Sequence, residues 1–78
     1  MEYFFYCRDR ANTATLREEL AEAHWAFMDR YAAAMVARGP TLNADETMAT
    51  GSMHIVDLPD VAAAQVFAFA EPNYRAGI

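Results

Sequence analysis

The sequence predicts a small α+β domain, and three observations lead to that class. An aromatic run near the start, Glu2–Arg8 (EYFFYCR), is typical of a β-strand. A long stretch with helical spacing of apolar residues follows it, from Thr15 to Pro40. A second strand pattern and a shorter helix pattern come later, so the order is strand, helix, strand, strand, helix. Such a mixed order indicates a sheet with helices packed against it.

The first strand, Glu2–Arg8, has two apolar faces. Successive side chains of a strand point to opposite sides, which places Tyr3 and Phe5 on one face and Phe4 and Tyr6 on the other. One layer of helices covers one face only, so we expect the other face to meet the sheet of a second subunit. We predict that Cys7, the single cysteine, is a packed core thiol and not a nucleophile, because little positive charge lies near it in the sequence to lower its pKa.

The first helix is predicted to run from Thr15 to Pro40 without a break. Thr15 and Glu18 have the spacing of a capping box, and Gly39 followed by Pro40 is a stop signal. Two adjoining apolar stripes predict a wide buried face. They consist of Leu16, Leu20, Ala23, Phe27, Tyr31 and Ala34, and of Ala21, Trp25, Met28, Ala32 and Met35.

His24 lies on or beside this buried face, one turn from Leu20 and from Met28. An imidazole in that position needs a hydrogen-bond partner. Spacing leaves two interpretations open. His24 is either a core histidine bonded to a backbone carbonyl or water, or a general acid/base at the mouth of a pocket.

The second half of the chain predicts two strands and a helix. A short strand at Pro40–Leu42 and a turn at Asn43–Glu46 precede a strong strand, Thr47–Asp57. In that strand, Gly51 indicates a bulge or a close approach of backbone to ligand, and His54 is expected to face solvent or an interface.

Asp57 is the predicted N-cap of the second helix, with Pro59 near its first turn and Pro72 after its end. The segment Glu71–Gly77 (EPNYRAG) is predicted to be a loop. It brings a carboxylate, a phenol and a guanidinium close together, from Glu71, Tyr74 and Arg75.

Composition excludes several classes of function. The net charge is −5 and all six basic residues are Arg, so no basic patch is available for nucleic acid. A single cysteine fits a reducing compartment, and no secretory signal or membrane-spanning run is visible. We therefore expect a cytoplasmic protein with no nucleic-acid or membrane partner. The histidines and carboxylates show no metal-binding spacing, so we expect no metal or cofactor.

The strand and helix order is the ferredoxin-like βαββα(β) pattern with its final strand missing. In that topology the absent strand would lie beside the first strand. The run EYFFYCR is then an exposed apolar edge that invites another chain. The high hydrophobic content, 55% of 78 residues, agrees with apolar area left over for a partner.

Several segments together resemble the YciI-like (YCII-related) family of dimeric α+β barrels. The likeness rests on the aromatic first strand, His24 within EAHWAFMDRY, Gly39-Pro40, Gly51-Ser52, Asp57–Asp60 (DLPD) and Glu71–Gly77. The resemblance implies a homodimer or higher oligomer whose sheets face each other, with a cavity on each side. It also implies that residues 1–78 form a single domain truncated at its C-terminal end, since the family continues into a last strand.

The resemblance also implies a site. His24 matches the family's helix histidine, and Glu71 matches the acidic residue before a proline, where the family has Asp. Ser52 matches a position near the cavity. We expect Ser52, Tyr74 and Arg75 to bind substrate, because the planar fork of Arg suits a carboxylate.

Two functions remain open from the sequence. One is a lyase- or isomerase-type acid–base enzyme that acts on a small organic acid or lactone through the His24–Glu71 pair. The alternative is a non-catalytic module for small-ligand binding or dimerisation, which the missing strand and the Glu-for-Asp exchange favour. A fragment without a function of its own is the third possibility.

Overall fold

The computed structural model describes residues 1–78 as two layers, a three-stranded antiparallel sheet with helices on one face. The elements are β1 (Glu2–Arg8), α1 (Ala14–Glu19), α2 (Ala21–Asp29), a 3₁₀ turn (Ala32–Ala34), β2 (Met35–Leu42), β3 (Ala49–Asp57), α3 (Val61–Ala70) and α4 (Pro72–Arg75). The strand order is β1-β3-β2, so the predicted ferredoxin-like α+β fold with a missing strand is confirmed. No helix combines the length and the apolar character that crossing a membrane would require.

Strand β1 has the predicted bounds and lies at one edge of the sheet. Its odd-numbered side chains face the helices: Tyr3 pairs with Val56 of β3, and Tyr3 and Phe5 pack against the hydrophobic core. The core consists of Phe27, Met28, Val56, Leu58, Ala64 and Phe67. The opposite face of the sheet has no helix over it. Phe4 and Tyr6 point to that side and are 65% and 60% exposed.

The predicted long helix, from Thr15 to Pro40, is wrong in its second half. Helix α2 ends at Asp29, and Met35–Leu42 form β2. Pairing with β2 satisfies the backbone groups along one side of β3, which a helix in that place would leave unbonded. The Gly39-Pro40 pair lies inside this strand instead of ending a helix. Proline is tolerated there because β2 is an edge strand, where a missing N–H can face solvent.

The first half of the predicted helix is broken in two. Leu20, with φ −97° and ψ 0°, separates α1 from α2. Thr15 lies within α1 and no side chain caps that helix, so the expected capping box is not formed. The predicted second stripe is also only partly buried. Met28 is enclosed in the core, but Trp25 is exposed because a helix on a single sheet buries one narrow face.

Gly51 is explained by the closeness of the neighbouring strand. It pairs with Arg8, and a Cβ atom added to it would stand 1.9 Å from the backbone oxygen of Cys7. Any side chain there would push β1 away from β3. The predicted turn at Asn43–Glu46 is present, and the side-chain oxygen of Asn43 accepts the backbone N–H of Thr47 at 2.9 Å.

The second helix begins later than predicted. Asp60, and not Asp57, is its N-cap, and its carboxylate accepts the backbone N–H of Ala63 at 2.9 Å. Capping needs an oxygen that reaches the third residue of the helix, and Asp57 still belongs to β3. The segment predicted to be a loop contains α4. Pro72 opens that helix, where its missing N–H does no harm, and Glu71 caps it.

Candidate active site

His24 and Glu71 meet across the helical layer. His24 comes from the middle of α2, and Glu71 precedes α4, 47 residues further along the chain. Nδ1 of His24 lies 2.5 Å from Oε1 of Glu71. The two side chains are 16% and 13% exposed. The pair that the sequence proposed is therefore a close, largely enclosed hydrogen bond.

Glu71 is held as a carboxylate. Burial works against its charge, but hydrogen bonds from His24 and from the backbone N–H groups of Asn73 and Tyr74 outweigh it and lower the pKa of Glu71. Its second oxygen, Oε2, accepts the N–H of Tyr74 at 3.0 Å. The ionised carboxylate of Glu71 accepts a hydrogen bond from the N–H group at Nδ1 of His24. This leaves Nε2, which has no protein partner and is not enclosed, as the nitrogen that can exchange a proton.

Two adjoining clefts open beside the pair, with volumes of 590 and 1250 Å³. His24 lines the larger cleft and Glu71 the smaller one. The clefts share a polar wall that includes Arg17, Ser52, His54 and Asn73. Aromatic side chains also line the smaller cleft, namely Phe4, Phe5, Tyr6, Phe67 and Tyr74. A small compound with an apolar ring and a few oxygen atoms would fit this combination.

The structure brings most of the predicted site residues together, but not all of them. Ser52 lines both clefts, and Tyr74 lines the smaller one. The exposed ring of Tyr74 packs on Phe69, with 5.3 Å between the ring centroids. Arg75 is exposed at the end of α4 and lines neither cleft. Its guanidinium points away because the single turn of α4 turns Tyr74 and Arg75 to different sides.

Arg17, and not Arg75, places a guanidinium along both clefts. Its Nε lies 3.4 Å from a carboxylate oxygen of Asp9, and its side chain is mostly buried. It also donates to the backbone oxygen of Gly51 at 3.5 Å. The spacing of Arg17 from His24 in the sequence indicated that Arg17 lies near the histidine. Arg17 and His24 are seven residues apart, which is two helical turns and therefore the same side.

His54 is the second residue that sequence reasoning missed. It was expected to face solvent or an interface, but it is only 5% exposed and lines both clefts. Its ring lies 6.2 Å from that of His24. Burial, and then repulsion from the charge that a protonated His24 would carry, lower the pKa of His54, which favours its neutral form. The sequence indicated this position, because Ser52 and His54 are two residues apart in a strand and therefore lie on the same face of β3.

Cys7 is not the packed core thiol that the sequence predicted. It lies near the end of the edge strand β1, is exposed, and contributes to the smaller cleft. Partial burial and the carboxylates of Glu71 and Asp9 raise its pKa, while Ser52 opposite it acts in the other direction. The thiol is therefore protonated at neutral pH. No group of three or more His, Cys, Asp or Glu side chains is arranged to hold a metal ion.

Comparison with known proteins adds a family and a related structure. The family described as "YCII-related domain" matches residues 1–78. A solved structure of 5-chloro-2-hydroxyhydroquinone dehydrochlorinase (TftG) from Burkholderia phenoliruptrix AC1100, in complex with 2,5-dihydroxybenzoquinone, is similar with a TM-score of 0.92. The two sequences are 28% identical, and the match covers 100% of this chain and 84% of that one. None of the curated proteins matches significantly.

Proposed function

We propose that this chain, which belongs to the YCII-related domain family, is an acid–base enzyme of the lyase or isomerase type. Its substrate would be a small organic acid, a lactone or a hydroxylated ring compound. The observation that carries the proposal is the hydrogen bond between His24 and Glu71 beside two clefts. The similarity to TftG, an enzyme whose name describes dehydrochlorination of a small ring compound, supports it.

The proposed chemistry is a proton transfer at Nε2 of His24. In a lyase reaction Nε2 takes a proton from carbon, the C–H electron pair becomes a new double bond, and the leaving group departs with its own bonding pair. In an isomerase reaction the same proton returns to a different carbon of the molecule. Glu71 fixes the tautomer of His24 and stabilises the imidazolium that forms, so the pair acts as a unit.

Substrate binding is assigned to the shared wall of the clefts and to the aromatic side chains. Arg17 supplies a positive charge for a carboxylate or an ionised hydroxyl, and Ser52 supplies a hydroxyl. Tyr74 stands at the rim of the smaller cleft. Arg75, which the sequence analysis proposed for this role, lies outside both clefts and is replaced by Arg17 in the proposal.

We also propose that the chain works as a homodimer in the cytoplasm. The support for the dimer is the face of the sheet without helices, where Phe4 and Tyr6 are exposed beside the half-buried Met53 and Ile55. An exposed apolar surface on a sheet favours association with the same surface of a second copy of the chain. The single cysteine is in keeping with a reducing compartment.

The test uses two probe substrates, 5-chloro-2-hydroxyhydroquinone and muconolactone. Chloride release is followed for the first, and exchange of solvent deuterium into carbon is followed by NMR for the second. We expect His24→Ala to lower turnover of the active probe by about 10²–10⁴-fold, the usual worth of a general base. Glu22→Gln, an exposed change on the same helix, should leave turnover unchanged.

Full turnover by His24→Ala would disprove the acid–base role of the histidine. If the wild-type chain turned over neither probe, the enzyme proposal would lose its support. The result would then favour the alternative of a binding or dimerisation module.

A further inference from the structure

Two buried side-chain atoms in this molecule lack a hydrogen-bond partner, and both belong to residues of the shared cleft wall. They are Nδ1 of His54 and Oδ1 of Asn73. Folded proteins bond nearly all of their buried polar atoms, because an unpartnered one costs free energy. Both unpartnered side-chain atoms therefore lie at the candidate site.

The surroundings of His54 define which of its nitrogens carries the proton. Nδ1 is enclosed without any acceptor, whereas Nε2 is not enclosed, and the ring of Phe67 lies 6.0 Å away. A buried donor without an acceptor is rarer in proteins than an acceptor without a donor. This assignment from the hydrogen-bond network puts the proton on Nε2, so His54 presents an N–H group toward the cleft.

Burial, more than the neighbouring charges, keeps the ring of His54 neutral. The charged or titratable groups that face it are His24 of α2, Glu71 before α4, Arg38 of β2 and Arg17 of α1. Burial is the largest influence, and three of these four neighbours are cationic or become cationic on protonation. A neutral ring whose Nε2 holds its proton is a hydrogen-bond donor that does not itself lose the proton at neutral pH.

We propose that His54 is a second catalytic group, whose Nε2–H binds the substrate oxygen on which negative charge develops while His24 removes the proton. This inference rests on the proposed function and identifies the hydrogen-bond donor that stabilises negative charge at the same site. It limits the substrate class to compounds with a carbonyl, or a ring hydroxyl in its keto form, next to the carbon that loses its proton.

The step balances without any further reactant. His24 takes the proton, the C–H electron pair forms a carbon–carbon double bond, and the carbonyl pair moves onto oxygen as an enolate. The Nε2–H of His54 donates a hydrogen bond to that oxygen and keeps its proton. When the pair returns from oxygen, it either expels the leaving group or takes the proton back from His24 at another carbon.

The relative position of the two histidines suits these roles. Their ring centroids are 6.2 Å apart and the planes are inclined by 62°, so one substrate fragment can contact both rings from the larger cleft, which both residues line. Donors fixed in a partly enclosed site act on developing charge without reorganising, which is why such groups are worth about 10²–10³-fold in kcat.

The test compares His54→Leu, which removes the donor, with His54→Gln, whose amide N–H reaches a similar position. With 5-chloro-2-hydroxyhydroquinone we expect His54→Leu to lower kcat by about 10²–10³-fold while KM changes little. The Gln variant should recover at least tenfold of that loss. A residue that only packs in the core would give equal losses in the two variants, and this outcome would overturn the proposal.

A second measurement needs no variant. The probe 2,5-dihydroxybenzoquinone has readily ionised hydroxyls and offers anionic oxygens. In a sample with ¹⁵N-labelled histidine, its addition should move the Nε2–H resonance of His54 downfield. An unmoved resonance in the presence of bound probe would reject the role of His54 and leave that of His24 intact. Failure of the wild-type chain to bind or turn over either compound would reject both.

Discussion

At the level of single residues, Glu71 makes two contacts through one carboxylate, one with His24 and one with the first turn of α4. Its Oε1 holds Nδ1 of His24, and its Oε2 accepts the N–H of Tyr74 as the N-cap of α4. Asp, Asn, Ser and Thr are the usual N-caps, because their short side chains reach the helix N–H directly. The extra methylene of Glu71 lets one carboxylate serve the helix and the histidine together. The exchange of Asp for Glu is therefore compatible with the proposed pair.

The lowered pKa of Glu71 predicts a specific dependence of stability on pH. Because the carboxylate is favoured in the folded state, its contribution is fully present above the ordinary value of 4.5 and is lost as pH falls through the lower pKa of the folded state. We expect Glu71→Gln to lack this loss, so its unfolding free energy should fall less steeply with pH below 4.5. Urea unfolding at a series of pH values measures this dependence of the unfolding free energy on pH. Glu22→Gln, an exposed control, should follow the wild-type curve, and parallel curves for all three proteins would contradict the prediction.

At the level of elements, the sheet edges decide which segments are strands. Strand β3 is central and bonds on both sides, with β1 on one side and β2 on the other. Met35–Leu42 has an apolar beginning that follows the alanines Ala32–Ala34 and fits a helix locally, but the pairing it makes with β3 is worth more than the helical hydrogen bonds it gives up. The tight contact at Gly51 then fixes β1 against β3 close to the clefts.

The start of α3 gives a prediction with a matched control. Asp60 caps this helix through the N–H of Ala63, so Asp60→Ala should lower the free energy of unfolding by about 1 kcal/mol. Asp57→Ala, the same change at the exposed end of β3, caps no helix and removes only an exposed ion pair with the N-terminal ammonium at 2.8 Å, so it should change the free energy of unfolding by less than about 0.5 kcal/mol. Chemical denaturation of both variants measures the difference. Equal effects would mean that the cap at Asp60 contributes nothing measurable.

At the level of the whole molecule, the open face of the sheet and the clefts are connected. Phe4 and Tyr6 point away from the helices, yet both also line the smaller cleft, which therefore wraps around the edge strand β1. A second subunit on that face would cover these rings and close one side of the cleft. Dimerisation and substrate binding are thus proposed to depend on the same strand.

The dimer is tested by solution mass, measured by light scattering behind a sizing column at several concentrations. We expect a dimer for the wild-type chain and a monomer for Phe4→Arg, because a charge on the apolar face opposes its burial. Val66→Arg, on the exposed side of α3, changes an equally exposed apolar residue and should remain a dimer. A wild-type monomer at every concentration, or a dimer of Phe4→Arg, would reject the arrangement.

The sequence by itself determined the class of the fold, the bounds of β1 and the order of the elements, because alternation and helical spacing are local properties of the chain. Its resemblance to a family also indicated His24 and Glu71, which the structure brings into contact. Only the tertiary structure decided that Met35–Leu42 is a strand, because that depends on the distant partner β3. It also decided that His54 is buried and that Arg17, not Arg75, lines the clefts. These outcomes depend on which face each element turns toward its neighbours, and local spacing does not contain that information.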